Sequence, residues 1–226
     1  MAERLAWEVS EPAGRPPTLL VYEPEPGITI GRGGSRTDVD LSDDELRAMR
    51  LPIRFVGRGG GAVPHGPGQV GIALFSRMED LGLGRFDVGG CLDRLEGAVE
   101  AAVRSLRCGA ARDSQIAGIF GRSGLLAAVG IAVRRGVVWH GCFLNVHPLP
   151  LPVHRVRTAP VAATAGMRTM TSIESDVQRR IRLQDARSAI VRQVVDAFGF
   201  PQSHLQAGVP LPARETTSQE PFSRVG

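Results

Sequence analysis

The sequence predicts an α+β domain, a mostly antiparallel sheet with flanking helices, on three observations. Short β-branched runs recur between Gly- and Pro-rich stretches, and two long segments carry apolar residues at helical spacing. Strands and helices do not alternate as regular βαβ units, which argues against a parallel sheet. The clearest local signal is at 124–146, where "GLLAAVGIAV" and "VVWHGCFLNV" flank Arg134, Arg135 and Gly136 as the arms of a hairpin.

Taken in order, residues 1–16 are rich in Pro, Glu and Gly and are expected to be flexible, ahead of a domain over 17–206. "TLLVYEP" (18–24) and "GITIGRGG" (27–34) read as short strands. "PIRFVGR" (52–58) leads as a strand into "GRGGGAVPHGPGQ" (57–69), and "QVGIALF" (69–75) leaves it as another. Six glycines in that stretch imply positive φ angles or a backbone that closely approaches something. "CLDRLEGAVEAAVRSL" (91–106) places Leu92, Leu95, Val99, Ala102, Val103 and Leu106 on one helical face. The Pro-rich segment 147–160 is incompatible with regular structure. "TSIE" (171–174) reads as a capping box opening a second amphipathic helix that Gly199 and Pro201 end. A disordered tail is expected over 207–226.

The chain has 226 residues, 42% hydrophobic and 22% charged, enough for one buried core. Its longest apolar run is about half the ~18 residues of a membrane span, and the N-terminus has no apolar signal-peptide core. Three cysteines without C-x-x-C spacing predict free thiols and a cytoplasmic location. All 27 basic residues are arginine, a bias that a GC-rich genome would produce. No side-chain ammonium is therefore present to act as base, Schiff-base former or phosphate hook. The arginines are scattered, with only Arg134-Arg135 and Arg179-Arg180 adjacent, so neither nucleic acid nor membrane is expected as a partner. No His, Cys, Asp or Glu falls at metal-ligand spacing, and no cofactor is expected.

Several segments together resemble the lipoyl(octanoyl) transferase family, within the biotin- and lipoate-protein ligase superfamily. They are "GITIGRGG" (27–34), "RGGGAVPHGPGQVG" (58–71), "LDRLEGAVEAAVRSL" (92–106), "LAAVGIAVRRGVVWHGCFLNV" (126–146) and "MTSIE" (170–174). The resemblance implies the superfamily's catalytic-domain fold, and octanoyl transfer from acyl carrier protein to a lysine of a lipoyl domain. In the family a cysteine accepts the octanoyl group and a lysine acts as base, so one difficult transfer becomes two easier ones. The acyl carrier protein, the lipoyl domain and an octanoyl or lipoyl group are the partners it implies. It also assigns substrate-binding positions to Arg58, Gly59, Gly60, Gly61, His65, Gly66, Gln69, Gly130, His140, Gly141 and Asn145.

At both chemical positions the chain departs from the pattern. The family's lysine matches Leu125, and its cysteine matches Ala159, or Ala162 or Ala163 if the intervening gap is placed differently. No cysteine lies between 143 and 226, and Val63-Pro64 stand where the family usually has Thr and an aromatic residue. A lost nucleophile in a coupled site costs on the order of 10⁶ in rate, and a lost general base roughly 10²–10⁴.

Three readings follow. One is an impaired homologue that binds an octanoyl or lipoyl group, a lipoyl domain or an acyl carrier protein without transfer. A second is an enzyme with Cys142 as substitute nucleophile and His140 as base. Residues two apart on a strand face one side with Cα atoms about 7 Å apart, long for a direct hydrogen bond, and a buried thiol is the bland alternative. The third, a remnant structural protein, predicts a filled pocket between Leu125, Ala159 and His65.

Overall fold

A computed structural model describes residues 2–11, 14–147, 153–158, 169–201, 203–204 and 206–208. The elements run α1 (Ala2–Ser10), β1 (Thr18–Tyr22), β2 (Gly27–Ile30), α2 (Asp43–Ala48), β3 (Ile53–Phe55), β4 (Ala62–His65) and β5 (Gln69–Arg77). They continue α3 (Val88–Ser105), β6 (Ala111–Arg112), β7 (Gly118–Phe120), β8 (Leu125–Arg134), β9 (Val137–Asn145), α4 (Ile173–Val177) and α5 (Leu183–Ala197). Six strands form an antiparallel sheet in the order β1-β5-β9-β8-β7-β6. A second sheet, β3-β2-β4, pairs β2 with β3 in parallel and with β4 antiparallel.

The main sheet is covered on both faces. On one, Val70, Ile72, Leu74, Val129, Ile131 and Leu144 pack against α3 (Leu95, Val99, Val103) and α5 (Ile190, Val194). On the other, Ala73, Phe75 and Val137 receive Leu5 and Val9 of α1. The small sheet has its own core, in which Ile28 and Ile30 meet Leu41, Leu46 and Leu51. The β8–β9 connection turns through Arg135 (φ 53°) and Gly136 (φ 78°), two consecutive positive-φ residues that suit the twist of a tight hairpin.

Three sequence expectations change. Residues 2–10, expected to be loose, form a helix because Leu5 and Val9, one turn apart, are both fully buried. Glu8, buried beside them, pairs with Arg4 at 3.3 Å and Arg15 at 2.7 Å. The glycine-rich stretch is not all loop, since 62–65 is a strand of the small sheet even with Pro64 in it. Pro64 is tolerated because β4 has a hydrogen-bonded strand neighbour on one side only.

The helix expected from 171 is two helices, capped by Ser172, whose hydroxyl accepts from Ser175 N at 3.2 Å, rather than by Thr171. Gln178 takes left-handed φ (53°) and breaks the run, and Glu174 turns away from a capping box to accept from Ile181 N at 2.6 Å. Ala159, Ala162 and Ala163, and most of the expected tail, lie outside the described residues.

Candidate functional site

The glycine stretch 57–61 crosses β8 at van der Waals contact. Gly59 N donates to Ile131 O at 2.9 Å, and a Cβ on Gly130 would lie 2.6 Å from Gly59 O. Gly60 needs its φ of 80°, and a Cβ on Gly61 would meet Thr158 O at 2.5 Å. Arg58 fixes this path from inside. Its guanidinium donates to Gly59 O (2.9 Å), Gly61 O (3.1 Å), Thr29 O (2.9 Å) and Thr29 Oγ1 (3.0 Å). No carboxylate pairs with it among the described residues, and burial lowers its pKa to about 10, so it stays cationic at neutral pH. The same side chain also lines the adjoining cleft.

The far end of the glycine stretch is held by a buried polar latch. Gln69 Oε1 accepts from Gly66 N (3.1 Å), and its Nε2 donates to Pro64 O (3.0 Å) and Asn145 Oδ1 (2.6 Å). Asn145 Nδ2 then donates to Thr171 O (2.6 Å). Both amides are buried and spend their donors and acceptors inside the protein, so they shape the site through the backbone. Opposite them Gly68 N donates to Glu23 Oε1 at 2.9 Å, tying in the end of β1.

Between the two sheets lies a cleft floored by small residues of the main sheet. Gly130 and Gly141 face each other across the β8–β9 ladder, flanked by Ala73 and Ala128. Its walls are Val63, Arg58, Phe143 and Tyr22. Tyr22 is the chain's only tyrosine, which is the signal in the sequence that could have marked it. Its ring lies over Gly71, where a Cβ would come within 2.7 Å of ring atoms, and packs edge-on against Phe143 at 6.5 Å. The open volume is ≈ 30 Å³, room for about two waters and far below the roughly 300–1,000 Å³ of small-ligand sites. Tyr22 as a residue is 38% exposed and stands at the rim of the cleft.

Two histidines have unpaired nitrogens here, His140 in the cleft lining and His65 behind Phe143. His65 stacks on Phe143 at 5.1 Å, and its Nδ1 lies 2.8 Å from Glu25 O. A carbonyl there requires the Nδ1–H tautomer, leaving Nε2 as a lone pair, buried and without a partner. Burial lowers the pKa of His65. His140 lines the cleft directly, with left-handed φ (68°) on a strand and its ring against Trp139 at 4.6 Å. Its Nε2 is also buried and unpartnered, and burial together with the Arg58 charge pulls its pKa down to about 4.

Cys142 shares the cleft but is not prepared for attack. It is buried with the core residues, burial pushes its thiol up to about 12, and no hydrogen bond joins it to His140. The thiol stays protonated at neutral pH, whereas the thiolate is the species that attacks. Cys91 on α3 and Cys108 just after it are buried, with thiols pushed up to about 11.

Leu125 is 1% exposed and packs with Val63, Phe120, Ala128 and Met170, so the start of β8 ends in an apolar plug. Asp176, which the sequence did not suggest, shapes the turn before it. Its carboxylate accepts from Arg122 N (2.8 Å) and Ser123 N (2.6 Å). Among the described residues no group of His, Cys, Asp and Glu assembles a metal site, and no helix is long and apolar enough to cross a membrane.

Against known proteins, residues 1–195 match the lipoyl protein ligase A/B catalytic domain. The octanoyltransferase of Geobacter sulfurreducens is 31% identical over 230 residues, 98% of this chain and 91% of the relative. That of Geobacter metallireducens is 33% identical over 186 residues, 82% of this chain and 78% of the relative. A lipoate-protein ligase A bound with ATP superposes with a TM-score of 0.67 at 18% identity, over 86% of this chain and 79% of that one. The bipartite lipoate protein ligase of Thermoplasma acidophilum, solved in a study with its E2 lipoyl domain, gives 0.67 at 16% identity, over 87% and 78%. These two structures bear out the expected fold.

Proposed function

The chain belongs to the lipoyl protein ligase A/B catalytic-domain family, and from that premise we propose that it serves protein lipoylation by binding without transferring. Its ligand is an octanoyl or lipoyl group, presented by an acyl carrier protein or a lipoyl domain. The observation that carries this reading is Leu125, sealed among Val63, Phe120, Ala128 and Met170 where the resemblance places the family's lysine. A proton acceptor there would have to reach solvent or substrate through an apolar cluster. The chain also contains no lysine, and its three thiols are all buried with raised pKa values.

Binding is supported by the small-residue floor of the cleft. Gly130, Gly141, Ala73 and Ala128 form a shallow trench suited to a slim unbranched chain once the Tyr22 ring swings away. Arg58 adds a cation at the wall and His140 Nε2 an unpartnered nitrogen. Because the trench is nearly closed by Tyr22, Tyr22→Ala is expected to tighten acyl binding.

Isothermal titration with octanoyl carrier protein and with lipoyl domain tests the reading, with saturable binding to at least one expected. Binding to neither overturns it in favour of a structural role with a filled cleft. Intact-mass spectrometry after incubation with octanoyl carrier protein is expected to show no added octanoyl group. An adduct that disappears in Cys142→Ala would instead establish transfer through Cys142.

A further inference from the structure

We propose that the concavity between the end of α3 and the start of α5 binds a small phosphate-bearing anion, at a site separate from the acyl cleft. It has an open volume of ≈ 490 Å³ and is lined by Arg107, Arg179, Arg180 and Arg182, with Leu106 and Ile181 among its other lining residues. A volume of that order falls within the roughly 300–1,000 Å³ of small-ligand sites.

Charge is the feature that sets this concavity apart. Its one carboxylate, Asp185, accepts from Arg182 through both oxygens, at 3.0 Å each. Glu174, on the neighbouring α4, is occupied by the backbone N–H of Ile181 at 2.6 Å. Arg107, Arg179 and Arg180 thus face one space with no carboxylate bonded to any of them among the described residues. Three guanidinium groups in one concavity repel each other, and an anion carrying two charges relieves that repulsion. Planar N–H forks match the oxygens of a tetrahedral phosphate, where each pair of donors can take a pair of oxygens.

Two backbone details fit the same reading. Arg107 has φ of 59° just past the end of α3, with Arg107 N bonded to Arg104 O (2.9 Å) and Cys108 N to Val103 O (3.4 Å). Glycine occupies that position most easily, so arginine is there at the expense of backbone ease, and its side chain faces the concavity. Arg179 is held in place by donating to Leu106 O. At the other side α5 starts without a side-chain cap, leaving N–H groups of its first turn as supplementary donors.

A small ligand fits better than a nucleic-acid strand because the basic surface does not continue. Nearby arginines are already paired: Arg104 with Glu100 at 2.7 Å, and Arg112 with Asp93 at 2.6 Å. α3 and α5 cover the face of the main sheet opposite α1. A ligand there does not compete with an acyl group for space.

The test is titration of the full chain with inorganic phosphate, pyrophosphate and a short single-stranded oligonucleotide, at ionic strength matched with sodium chloride. Pyrophosphate is expected to bind more tightly than phosphate, and both to weaken at least tenfold in Arg179→Gln/Arg180→Gln. Arg107→Gly is expected to weaken both as well while leaving the melting temperature unchanged or higher, since glycine relieves the left-handed backbone. That variant carries the test if the double substitution does not fold. An equal response to chloride, unchanged affinity in Arg107→Gly, or binding of the oligonucleotide alone overturns the proposal. Titrations with octanoyl carrier protein and lipoyl domain are expected to be unchanged in these variants, which separates this site from the acyl cleft.

Discussion

Two regions meet the same short segment and treat it in opposite ways. At the start of β5 and the end of β9, Gln69 and Asn145 form a polar latch that ends on Thr171 O. At the start of β8, Leu125 receives Thr171 N at 2.8 Å through its carbonyl, while its side chain joins an apolar plug with Met170. The first region has the residues the family resemblance leads one to expect, and the second does not. The difference teaches that the framework shaping a site and the groups reacting in it are energetically independent. Unpaired amides in a buried latch destabilise the fold at once. An apolar residue in place of a buried lysine leaves no unpaired charge in the core, so the fold does not penalise it.

The sharpest way to break that comparison is Gln69→Leu. It strands Gly66 N–H, Pro64 O and Asn145 Oδ1 in a buried site, each loss being worth about 1–3 kcal/mol. A destabilisation of about 4 kcal/mol is expected, read from the urea unfolding midpoint. A loss under about 1 kcal/mol would mean that the latch does not hold the loop.

Leu125→Lys probes the opposite region. An ammonium beside Val63, Phe120 and Met170 is expected to destabilise by about 3 kcal/mol. No octanoyl transfer should return, because the three thiols remain buried. Transfer activity in this variant would overturn the proposed binding-only role and assign the block to the apolar plug rather than to the lack of an exposed thiol.

Much of this organisation was legible in the sequence. The hairpin over 124–146, the strands flanking the glycine stretch and the first long helix follow from period-2 and period-3.6 patterns, and the structure contains them. The glycine stretch announced a close backbone approach, which proves to be Gly59 against Gly130. What was not legible depends on tertiary partners. Composition pointed to a loose N-terminus, but Leu5 and Val9 find Phe75 and Val137, residues far away in sequence. Tyr22 carries no motif and becomes a cleft wall only because β1 pairs with β5 opposite Gly71. Thr171 looked like a helix cap, yet its N–H is taken by Leu125 O, which hands the cap to Ser172. That Gln69 and Asn145 bond each other and the surrounding backbone is likewise not legible, because a polar residue in a motif looks the same whether it faces a ligand or a neighbouring amide.

His140 lies further along the β8–β9 ladder, opposite Ile131, and gives the smallest and most specific effect. Its pKa falls from 6.5 to about 4 on folding, because the buried ring resists a charge and Arg58 opposes one. A depressed folded pKa means that the unfolded chain takes up the proton first as pH drops. Its stabilising contribution is therefore complete above pH 6.5 and is lost as pH falls toward 4. At 1.36 kcal/mol per unit, and discounted for partial exposure, the loss is about 2 kcal/mol. His65 acts in the same direction through its own burial, so the variant should remove part of the acid response and leave the rest. Asparagine tolerates positive φ, which makes His140→Asn the substitution that deletes the titration without breaking the strand. Urea midpoints measured from pH 7 to pH 4.5 should fall less steeply in this variant than in the wild type. Glu45, with a carboxyl held down to about 2 by Arg155, keeps its contribution across that range and loses it only below. Parallel slopes in the two proteins would mean that the His140 ring finds a partner for its Nε2, and that the cleft is wetter and more open than its ≈ 30 Å³ implies.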